Sequence, residues 1–490
     1  MSQQETPLFS GLLRHIEKDP IQFHIPGHKA GKGLDPTFRE FVGSSVLAMD
    51  LINIAPLDDL HHPNGIIQQA QELAAEAFDA DATFFSVQGT SGAIMAMVMA
   101  VCQPGDKIIV PRNVHKSVMS AIVFSGATPV FVHPELDNAF GIAHGMSAEA
   151  VQKAVDQHPD AKALLVINPT YYGVACDLKQ VVDIAHKANI PVLVDEAHGV
   201  HIHFNDHFPL SAMEAGADIA ATSMHKLGGS MTQSSILNVK GRRVSVTRLQ
   251  SILSMLTTTS TSYPLLASLD TARRQLALHG KGLLNEALAL AEAARQTINS
   301  IPGLYCAGRE LLHSSATYDM DLTKLLISVK DLGITGNDAE QWLREQASIE
   351  VELSDLYNIL CIVTPGDTFK EVQALTEALK QLSQLHATFI RTAESPRVKV
   401  PDIPILTISP REAFYADTEL VPFHQSSGRT IAEFVMVYPP GIPIFVPGET
   451  ISTDNLLYIM ENIEAGLPVQ GPEDSTLQHL RVVKEYRAIY

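Results

Sequence analysis

The sequence of 490 residues predicts an α/β fold with a mostly parallel seven-stranded sheet, followed by smaller C-terminal α/β domains. Two observations predict it. Between residues 82 and 240, short apolar runs alternate with helical stretches, as in sheets whose strands are buried on both faces. The chain is also longer than the roughly 250–300 residues at which a single hydrophobic core stops growing, so more than one domain is expected.

Seven apolar runs are the predicted strands of the sheet. In chain order they are TFFSV (83–87), KIIVP (107–111), TPVFVHP (128–134), ALLVINP (163–169), VLVDEAH (192–198), IAATSMHK (219–226) and SSILNVK (234–240). Helix candidates such as SGAIMAMVMAV and LKQVVDIAHKA separate them. Ligands collect at the carboxyl ends of the strands in such sheets, so residues that follow each run are the first candidates for a site.

The rest of the chain predicts two smaller units. An Ala/Leu-rich helical stretch from about residue 246 to residue 300 precedes further strand and helix candidates, and a polar, proline-bearing segment at 392–404 indicates another boundary. We therefore expect a large N-terminal domain over residues 1–270. Connecting helices and a small α/β domain should follow over 271–390, and a C-terminal domain over 391–490.

Composition limits the class of protein. With 35 Lys and Arg against 54 Asp and Glu, the formal charge of -19 argues against nucleic acid and anionic membranes as partners and is compatible with a small cationic substrate. The four cysteines form no C-x-x-C pair, which predicts buried free thiols in a reducing compartment. No secretory signal pattern and no run of about 18 apolar residues occurs. We expect a cytoplasmic protein that has no membrane partner.

A small turn after the first predicted strand is a candidate phosphate site. Gly89, Thr90 and Ser91 precede a helix, where backbone N–H groups, two hydroxyls and the helix dipole would attract an anion. Such residues also cap helices for structural reasons, and that alternative stays open. Ser223 and His225, after a later strand, are close enough in the predicted sheet to reach the same phosphate.

An aspartate and a lysine after neighbouring strands predict the chemistry. Asp195 follows a buried run, where a carboxylate needs a cationic partner such as a protonated pyridine nitrogen, unless it caps a turn. Lys226 ends the IAATSMHK run, and a lysine there is costly unless its amine is neutral or covalently bound, as in an imine. These groups suit pyridoxal 5'-phosphate (PLP) and need no metal. His115 could cover the pyridine ring, and His198 could support the ring or relay a proton.

The motifs FHIPGHK, GTSG, NVHKS, DEAHG, SMHKLGG and YPPGIPIFVPGE resemble those of the bacterial ornithine/lysine/arginine decarboxylase family over essentially the whole chain. The resemblance is closest to the short biosynthetic arginine decarboxylase branch. It implies the fold of type I PLP enzymes, which is aspartate-aminotransferase-like, and decarboxylation of a small basic amino acid, most simply arginine to agmatine for polyamine biosynthesis.

Several alternatives stay open beside this reading. The substrate could be lysine or ornithine, and the same fold also supports transamination or aldol cleavage. A PLP-binding regulator that does not catalyse is a further alternative. A nucleotide-dependent oxidoreductase is disfavoured, because no G-x-G-x-x-G follows a strand.

The resemblance also implies roles for single residues. Lys226 would carry the cofactor, Asp195 would pair with the pyridine nitrogen, and His115 would stack on the ring. The residues implied to hold the phosphate are Thr90, Ser91, Ser223 and His225.

The segment TTTSTSY (257–263) resembles one that reaches the neighbouring subunit's site, so Thr258 and Ser260 are expected to act in trans. A homodimer or a dimer of dimers follows from this. Large rings are not expected, because FHIPGHK begins after only about twenty residues, where long members of the family carry an extra domain.

Several charged residues are candidates for recognition of the substrate. Glu449 in VPGET is the first candidate for binding the basic side chain. Three other acidic residues are less favoured alternatives: Asp50, Asp58 and Asp59. Arg411 could bind the substrate carboxylate or brace the C-terminal domain, and His28 could line the entrance or hold a turn.

Overall fold

The computed structural model describes residues 2–389, 401–437, 442–464 and 467–484. Its α-helices within these ranges are α1 (Pro7–Glu17), α2 (Pro36–Val42), α3 (Ser44–Met49), α4 (Ile66–Ala77), α5 (Gly89–Val101), α6 (Lys116–Ser125), α7 (Ala148–Gln157), α8 (Leu178–Lys187), α9 (Ala212–Ala215), α10 (Met224–Leu227), α11 (Val246–Leu256), α12 (Tyr263–Asn299), α13 (Gly336–Ala347), α14 (Phe369–Leu385), α15 (Pro410–Tyr415) and α16 (Thr453–Glu464). Short 3-10 helices cover Ala55–Leu57, Ile202–Phe204, Arg309–Leu311, Lys330–Leu332, Ala387–Phe389 and Phe423–Gln425.

The strands over the same ranges are β1 (Ala82–Ser86), β2 (Lys107–Pro111), β3 (Thr128–Val132), β4 (Leu136–Asp137), β5 (Ile142–Ala143), β6 (Ala163–Ile167), β7 (Val174–Ala175), β8 (Val192–Asp195), β9 (Ile219–Thr222), β10 (Ser235–Val239), β11 (Tyr305–Cys306), β12 (Asp319–Met320), β13 (Lys324–Ser328), β14 (Leu353–Ser354), β15 (Asn358–Ile362), β16 (Thr418–Pro422), β17 (Val435–Val437), β18 (Ile442–Phe445), β19 (Val469–Gln470) and β20 (His479–Val483).

The main sheet has seven strands, and they are the seven that the sequence predicts: β1, β2, β3, β6, β8, β9 and β10. Each begins within one residue of the predicted start. The parallel pairs are β2 with β3, β2 with β6, and β8 with β9, whereas β10 runs antiparallel to both β1 and β9. The prediction of a mostly parallel α/β sheet is therefore confirmed.

Several predicted strands extend beyond the observed ones, and the largest excess is at β9. β9 ends at Thr222, and the chain turns at once into the short helix α10, which contains Lys226. The prediction that Lys226 ends a strand is wrong for this reason: the polar residues of SMHK leave the sheet and begin a helical turn.

The chain divides into two compact units. The first consists of Met1–Val101 and Asn189–Leu284, and it contains the four strands in the order β1-β10-β9-β8. Its N-terminal helix α1 is tied to α12, because the buried carboxylate of Asp270 accepts hydrogen bonds from the backbone N–H groups of Leu8 (3.0 Å) and Phe9 (3.3 Å). Helix α5 is buried on most of its faces, as its apolar composition predicts.

The second unit consists of Cys102–Ala188 and Asn285–Tyr490 and contains the other three strands in the order β6-β2-β3. A second sheet, in the order β11-β13-β15-β14, packs in one hydrophobic core with α13 and α14. Smaller sheets join β16 to β20 and β17 to β18 and β19. The domain boundaries that the sequence predicts stay a prediction, and the polar segment used for one of them lies mostly outside the described residues.

Two general expectations can be compared with the structure. All four cysteines are free and buried, as predicted. Over the part of the chain that the structure describes, no helix is both long enough and apolar enough to cross a lipid bilayer.

Candidate active site

The side chains of Lys226 and His198 meet in the first unit. The Nζ atom of Lys226 lies 2.7 Å from Nε2 of His198. His198 follows β8 and Lys226 follows β9, and these two strands are parallel neighbours, so their carboxyl ends bring the two loops together. The sequence predicted that the residues after these two strands lie together, but it did not predict this contact of His198 with Lys226.

Asp195 is the last residue of β8 and is buried. Burial raises the pKa of its carboxyl to about 6, although the backbone N–H of Ala197 and the charge of Lys226 act in the opposite direction. A carboxylate in this position is stabilised by a nearby cation. The predicted partner, a protonated pyridine nitrogen, would meet that need.

Three hydroxyl groups gather at the N-terminus of α5. The Thr90 Oγ1 atom is hydrogen-bonded to Ser223 Oγ, and it lies 3.0 Å from Ser235 Oγ. Gly89 precedes Thr90 with φ of +67°, and nothing lies within 4 Å of where its Cβ would be, so the turn is open at this point. Ser91 is exposed on the same first turn. Hydroxyls and free N–H groups at a helix N-terminus are suited to a phosphate.

His225 is oriented by the residue that precedes β10. Its Nδ1 atom lies 2.9 Å from the carbonyl oxygen of Ser234, which can only accept, so Nδ1 carries the proton. Nε2 then has a lone pair when the ring is neutral and a proton when the ring is charged. Only the charged ring would donate to a phosphate through Nε2, so the predicted contact of His225 with the phosphate stays a prediction.

These observations fit PLP. A buried carboxylate with a raised pKa suits a cationic ring nitrogen, and the hydroxyls at the start of α5 suit a phosphate. Lys226 provides a primary amine that is held by His198.

His115 belongs to the second unit, where it is the N-cap of α6. Its Nδ1 atom accepts a hydrogen bond from the Ser117 backbone N–H (3.2 Å), and the side chain is exposed. A ring that is fixed by its own helix and still exposed is compatible with stacking on a cofactor. The predicted stacking stays a prediction.

Thr258 and Ser260 lie in the exposed loop between α11 and α12. The Ser260 backbone N–H donates to Thr258 Oγ1 (3.2 Å), and the ring of His61 donates through Nε2 to the Thr258 carbonyl oxygen (3.0 Å). The loop is thus held in place while its hydroxyl side chains remain accessible. The predicted contribution to a second subunit stays a prediction.

Glu449 is not placed as the sequence suggested. Its carboxylate is fully buried in the second unit and accepts hydrogen bonds from both terminal nitrogens of Arg112, at 2.6 and 2.8 Å. It also accepts one from the backbone N–H of Val446. Both of its oxygens are occupied by groups of the protein, which argues against Glu449 as the residue that binds the substrate side chain.

The structure favours bracing as the role of Arg411. Its Nη1 atom donates to the carbonyl oxygen of Phe124 (2.7 Å), which joins α15 to α6 within the second unit. The guanidinium also lies over the ring of Tyr415, 5.7 Å from its centroid. Of the two alternatives that the sequence left open, these contacts agree with bracing and not with binding of the substrate carboxylate.

The remaining substrate candidates also have local partners. His28 Nδ1 accepts from the Gly31 backbone N–H (3.0 Å), and Nε2 lies 3.0 Å from Asp50 Oδ2, so His28 holds a turn. Asp58 accepts from several backbone N–H groups at the start of α4, including that of Gly65 (2.8 Å). Asp59 accepts from the backbone of His61. None of these contacts identifies a substrate ligand.

Sequence reasoning missed three buried polar residues: Ser235, Glu196 and Arg112. Ser235 begins a fully buried strand, and Glu196 lies in the DEAHG motif beside Asp195. A signal was available for both, because a buried polar side chain requires a partner.

Comparison with known proteins places the chain in a family. The model for "Orn/Lys/Arg decarboxylase, major domain" matches residues 6–371, and that for "Orn/Lys/Arg decarboxylase, C-terminal domain" matches residues 401–468. The chain belongs to the Orn/Lys/Arg decarboxylase family. The resemblance seen in the motifs is thereby confirmed, and the chain is a PLP-dependent amino-acid decarboxylase.

Two relatives match over the full length. An arginine decarboxylase of Halalkalibacterium halodurans is 66% identical over 487 residues, 99% of each chain. One of Bacillus subtilis is 65% identical over 489 residues, 100% of each chain.

Solved structures of the family share the fold. Lysine decarboxylase A from Pseudomonas aeruginosa is 21% identical with a TM-score of 0.84, and the match covers 98% of this chain and 81% of that one. A lysine decarboxylase of Francisella novicida is 22% identical with a TM-score of 0.83 and the same coverage. The type I PLP fold predicted for this Orn/Lys/Arg decarboxylase is confirmed.

Proposed function

We propose that this chain decarboxylates L-arginine to agmatine and carbon dioxide, with PLP bound to Lys226. The observation that carries the site is the contact of 2.7 Å between Lys226 Nζ and His198 Nε2, close to the buried Asp195. The choice of arginine is supported by relatives of about 65% identity that are named arginine decarboxylases. The reaction would supply agmatine for polyamine biosynthesis in the cytoplasm.

The protein's own residues have separable tasks in this reaction. PLP, when bound, withdraws electrons from the bonds of the substrate Cα. Lys226 must present an uncharged amine to form a covalent bond, and His198 Nε2 lies within reach of the proton that Nζ gives up. The same pair of nitrogens can return a proton to the substrate Cα after carbon dioxide has left.

Binding and orientation belong to the groups around this pair. The Asp195 carboxylate would hold the cationic ring nitrogen, and the hydroxyls at the start of α5 would hold the phosphate. We further propose a homodimer in which Thr258 and Ser260 serve the neighbouring site. Their exposed loop supports this role.

The substrate is tested with purified, PLP-loaded protein and equal concentrations of arginine, lysine and ornithine. We expect agmatine and carbon dioxide from arginine, with kcat/KM at least about tenfold above the values for the other two. Equal rates on all three would refute the choice of arginine, and keto acid without carbon dioxide would refute decarboxylation.

The role of Lys226 is tested by Lys226→Ala with Lys281→Ala as the matched control, since Lys281 is an exposed lysine of the same unit. Borohydride reduction should fix the cofactor covalently to the wild type and to the control, but not to Lys226→Ala. Covalent cofactor on Lys226→Ala would show that another lysine carries it.

A further inference from the structure

The loop 257–263, which joins α11 to α12, is attached near both of its ends to one turn of the first unit, residues 57–61. Near the start of the loop, Nε2 of His61 lies 3.0 Å from the Thr258 carbonyl oxygen. At its end, the hydroxyl of the buried Tyr263 lies 2.7 Å from the Asp58 carbonyl oxygen. The exposed residues 258–260 therefore lie at and between two attachments to the same turn.

The turn 57–61 is itself fixed by its aspartates. Asp58 has φ of +70°, which is unfavourable for a residue other than glycine and must be held in place by other contacts. Its carboxylate accepts hydrogen bonds from the backbone N–H groups of Gly65 (2.8 Å) and Ile67 (2.9 Å) at the start of α4. Asp59 accepts one from the backbone N–H of His61 (3.0 Å). His61 is thus a fixed support for the loop.

The two nitrogens of the His61 ring have different partners. The Thr258 carbonyl oxygen only accepts, so Nε2 carries a proton. In the neutral ring, Nδ1 then accepts from Ser254 Oγ, which lies 2.8 Å away near the end of α11. The ring therefore binds both the end of this helix and the loop that follows it.

His61 holds the loop by its backbone, which leaves the side chains of the loop for other partners. Thr258 Oγ1 accepts from the Ser260 backbone N–H (3.2 Å), so the Thr258 hydroxyl proton can be donated outward. A loop that is ordered before it meets a ligand does not lose conformational entropy when the ligand binds. His61 can therefore raise the affinity of a site that it does not touch.

We propose that His61 is a positioning residue that orders the loop 257–263 for the cofactor site of the neighbouring subunit. The proposal rests on the proposed function, because it takes PLP to be bound at Lys226 and takes Thr258 and Ser260 to serve the neighbouring site. His61 acts through the Thr258 backbone and touches neither cofactor nor substrate.

Two substitutions separate the two hydrogen bonds of His61. Glutamine can place its amide nitrogen where Nε2 lies and keep the bond to Thr258, whereas asparagine reaches only the place of Nδ1, toward Ser254. Cofactor-free protein is titrated with PLP, and the Kd is followed by absorbance. We expect His61→Ala and His61→Asn to raise the Kd about threefold or more, and His61→Gln to stay within about twofold of the wild type.

The matched control is His62→Ala, because His62 is the next residue in the chain and is exposed. The Kd for PLP should stay unchanged in this variant. Near-ultraviolet circular dichroism checks that each variant is folded, and the comparison of His61→Gln with His61→Asn decides the matter if His61→Ala is not. Equal Kd values for these two variants would overturn the proposal, because the bond to Thr258 would then have no effect.

Mixed dimers show which site His61 serves. Lys226→Ala in one subunit leaves one site per dimer at which borohydride can fix PLP. His61→Ala is placed either in that same subunit or in its partner. We expect the first dimer to need about threefold more PLP or more for half-maximal labelling, because its intact Lys226 receives the loop that lacks His61. The second dimer should match one that carries Lys226→Ala alone.

The labelling outcomes separate the inference from the proposed function. The opposite result, or equal labelling of the two mixed dimers, would overturn the role of His61 in the neighbouring site. If Thr258→Ala with Ser260→Ala weakens PLP binding and His61→Ala does not, the inference fails and the proposed function stands. If borohydride fixes no PLP to the wild type, the proposed function fails, and the inference fails with it.

Discussion

Two carboxyl groups, those of Asp195 and Glu196, are buried side by side at the end of β8. Glu196 accepts hydrogen bonds from the Ala212 backbone N–H (2.6 Å) and the Thr222 hydroxyl (3.2 Å). Burial nevertheless raises the pKa of Glu196 from 4.5 to about 8. The folded protein therefore binds an additional proton between these two values, and its stability falls as the pH rises through this window.

Glu196→Gln is predicted to remove this part of the pH dependence. Glutamine has the shape of the protonated carboxyl, and it can accept from Ala212 and donate to Thr222. Because it takes up no proton on folding, the variant should be more stable than the wild type near neutral pH. The free energy of unfolding is measured with urea on the cofactor-free protein between about pH 6 and about pH 8. It should fall less steeply with rising pH than in the wild type, by up to about 1.4 kcal/mol per pH unit. Glu419→Gln, on the surface, is the control. Parallel pH profiles for wild type and Glu196→Gln would contradict the assignment.

Individual residues also show how far the sequence reaches. Lys226 and Asp195 could be proposed as site residues because a charged side chain directly after an apolar run needs a partner. The partner of Glu449 could not be found, because Arg112 stands 337 positions earlier in the chain. The sequence does not distinguish a carboxylate that is available to substrate from one that is paired with a buried arginine.

How well each strand or helix could be predicted depended on its length and on its pattern of apolar residues. The strands of the main sheet have four or five residues of nearly continuous apolar character, which the sequence displays directly. Pairs such as β4 with β5 consist of two residues each, and no periodicity can be read from two residues. The four-residue helix α10 is likewise too short to show a helical period, so the sequence predicts it as part of a strand.

The buried ion pair of Arg112 and Glu449 joins elements that are distant in the chain. Arg112 follows β2, and it donates to the carbonyl oxygens of Pro443 (2.9 Å) and Ile444 (3.1 Å) in β18 as well as to Glu449. Burial raises the pKa of Glu449, and the Arg112 charge opposes that change. The two carbonyl oxygens carry no net charge, so among these contacts it is the Glu449 carboxylate that neutralises the guanidinium.

Glu449→Ala is predicted to cost about 3 to 5 kcal/mol of unfolding free energy, because it leaves the Arg112 charge buried and unpaired. Urea unfolding of the cofactor-loaded protein measures it. Glu419→Ala removes the partner of Arg429 in a more exposed pair and should cost no more than about 1 kcal/mol. Equal losses of unfolding free energy in the two variants would show that the buried pair contributes no more to stability than the exposed pair.

At the scale of the whole molecule, one part of the proposed site depends on a second subunit. The strand order predicts which loops of one chain converge, and those of Lys226 and His198 do so. A loop donated by a second subunit has no signature in the strand pattern of one chain. Only the resemblance of TTTSTSY to a family segment suggested that Thr258 and Ser260 belong to a neighbouring site.

Mixed dimers test that suggestion. One subunit carries Lys226→Ala and the other carries Thr258→Ala with Ser260→Ala, and differently tagged subunits allow the mixed dimer to be isolated. If the loop acts in trans, one site of the mixed dimer combines an intact Lys226 with an intact loop, so about half of the wild-type activity should appear.

The inverse arrangement is the matched control, with all three substitutions in one subunit beside a wild-type partner. In trans, the intact Lys226 of the wild-type subunit then receives the altered loop, and nearly all activity should be lost. If the loop acts within its own subunit, the two results exchange: the first dimer is inactive and the control retains about half of the activity. The pair of measurements therefore distinguishes the two arrangements without requiring a structure of the dimer.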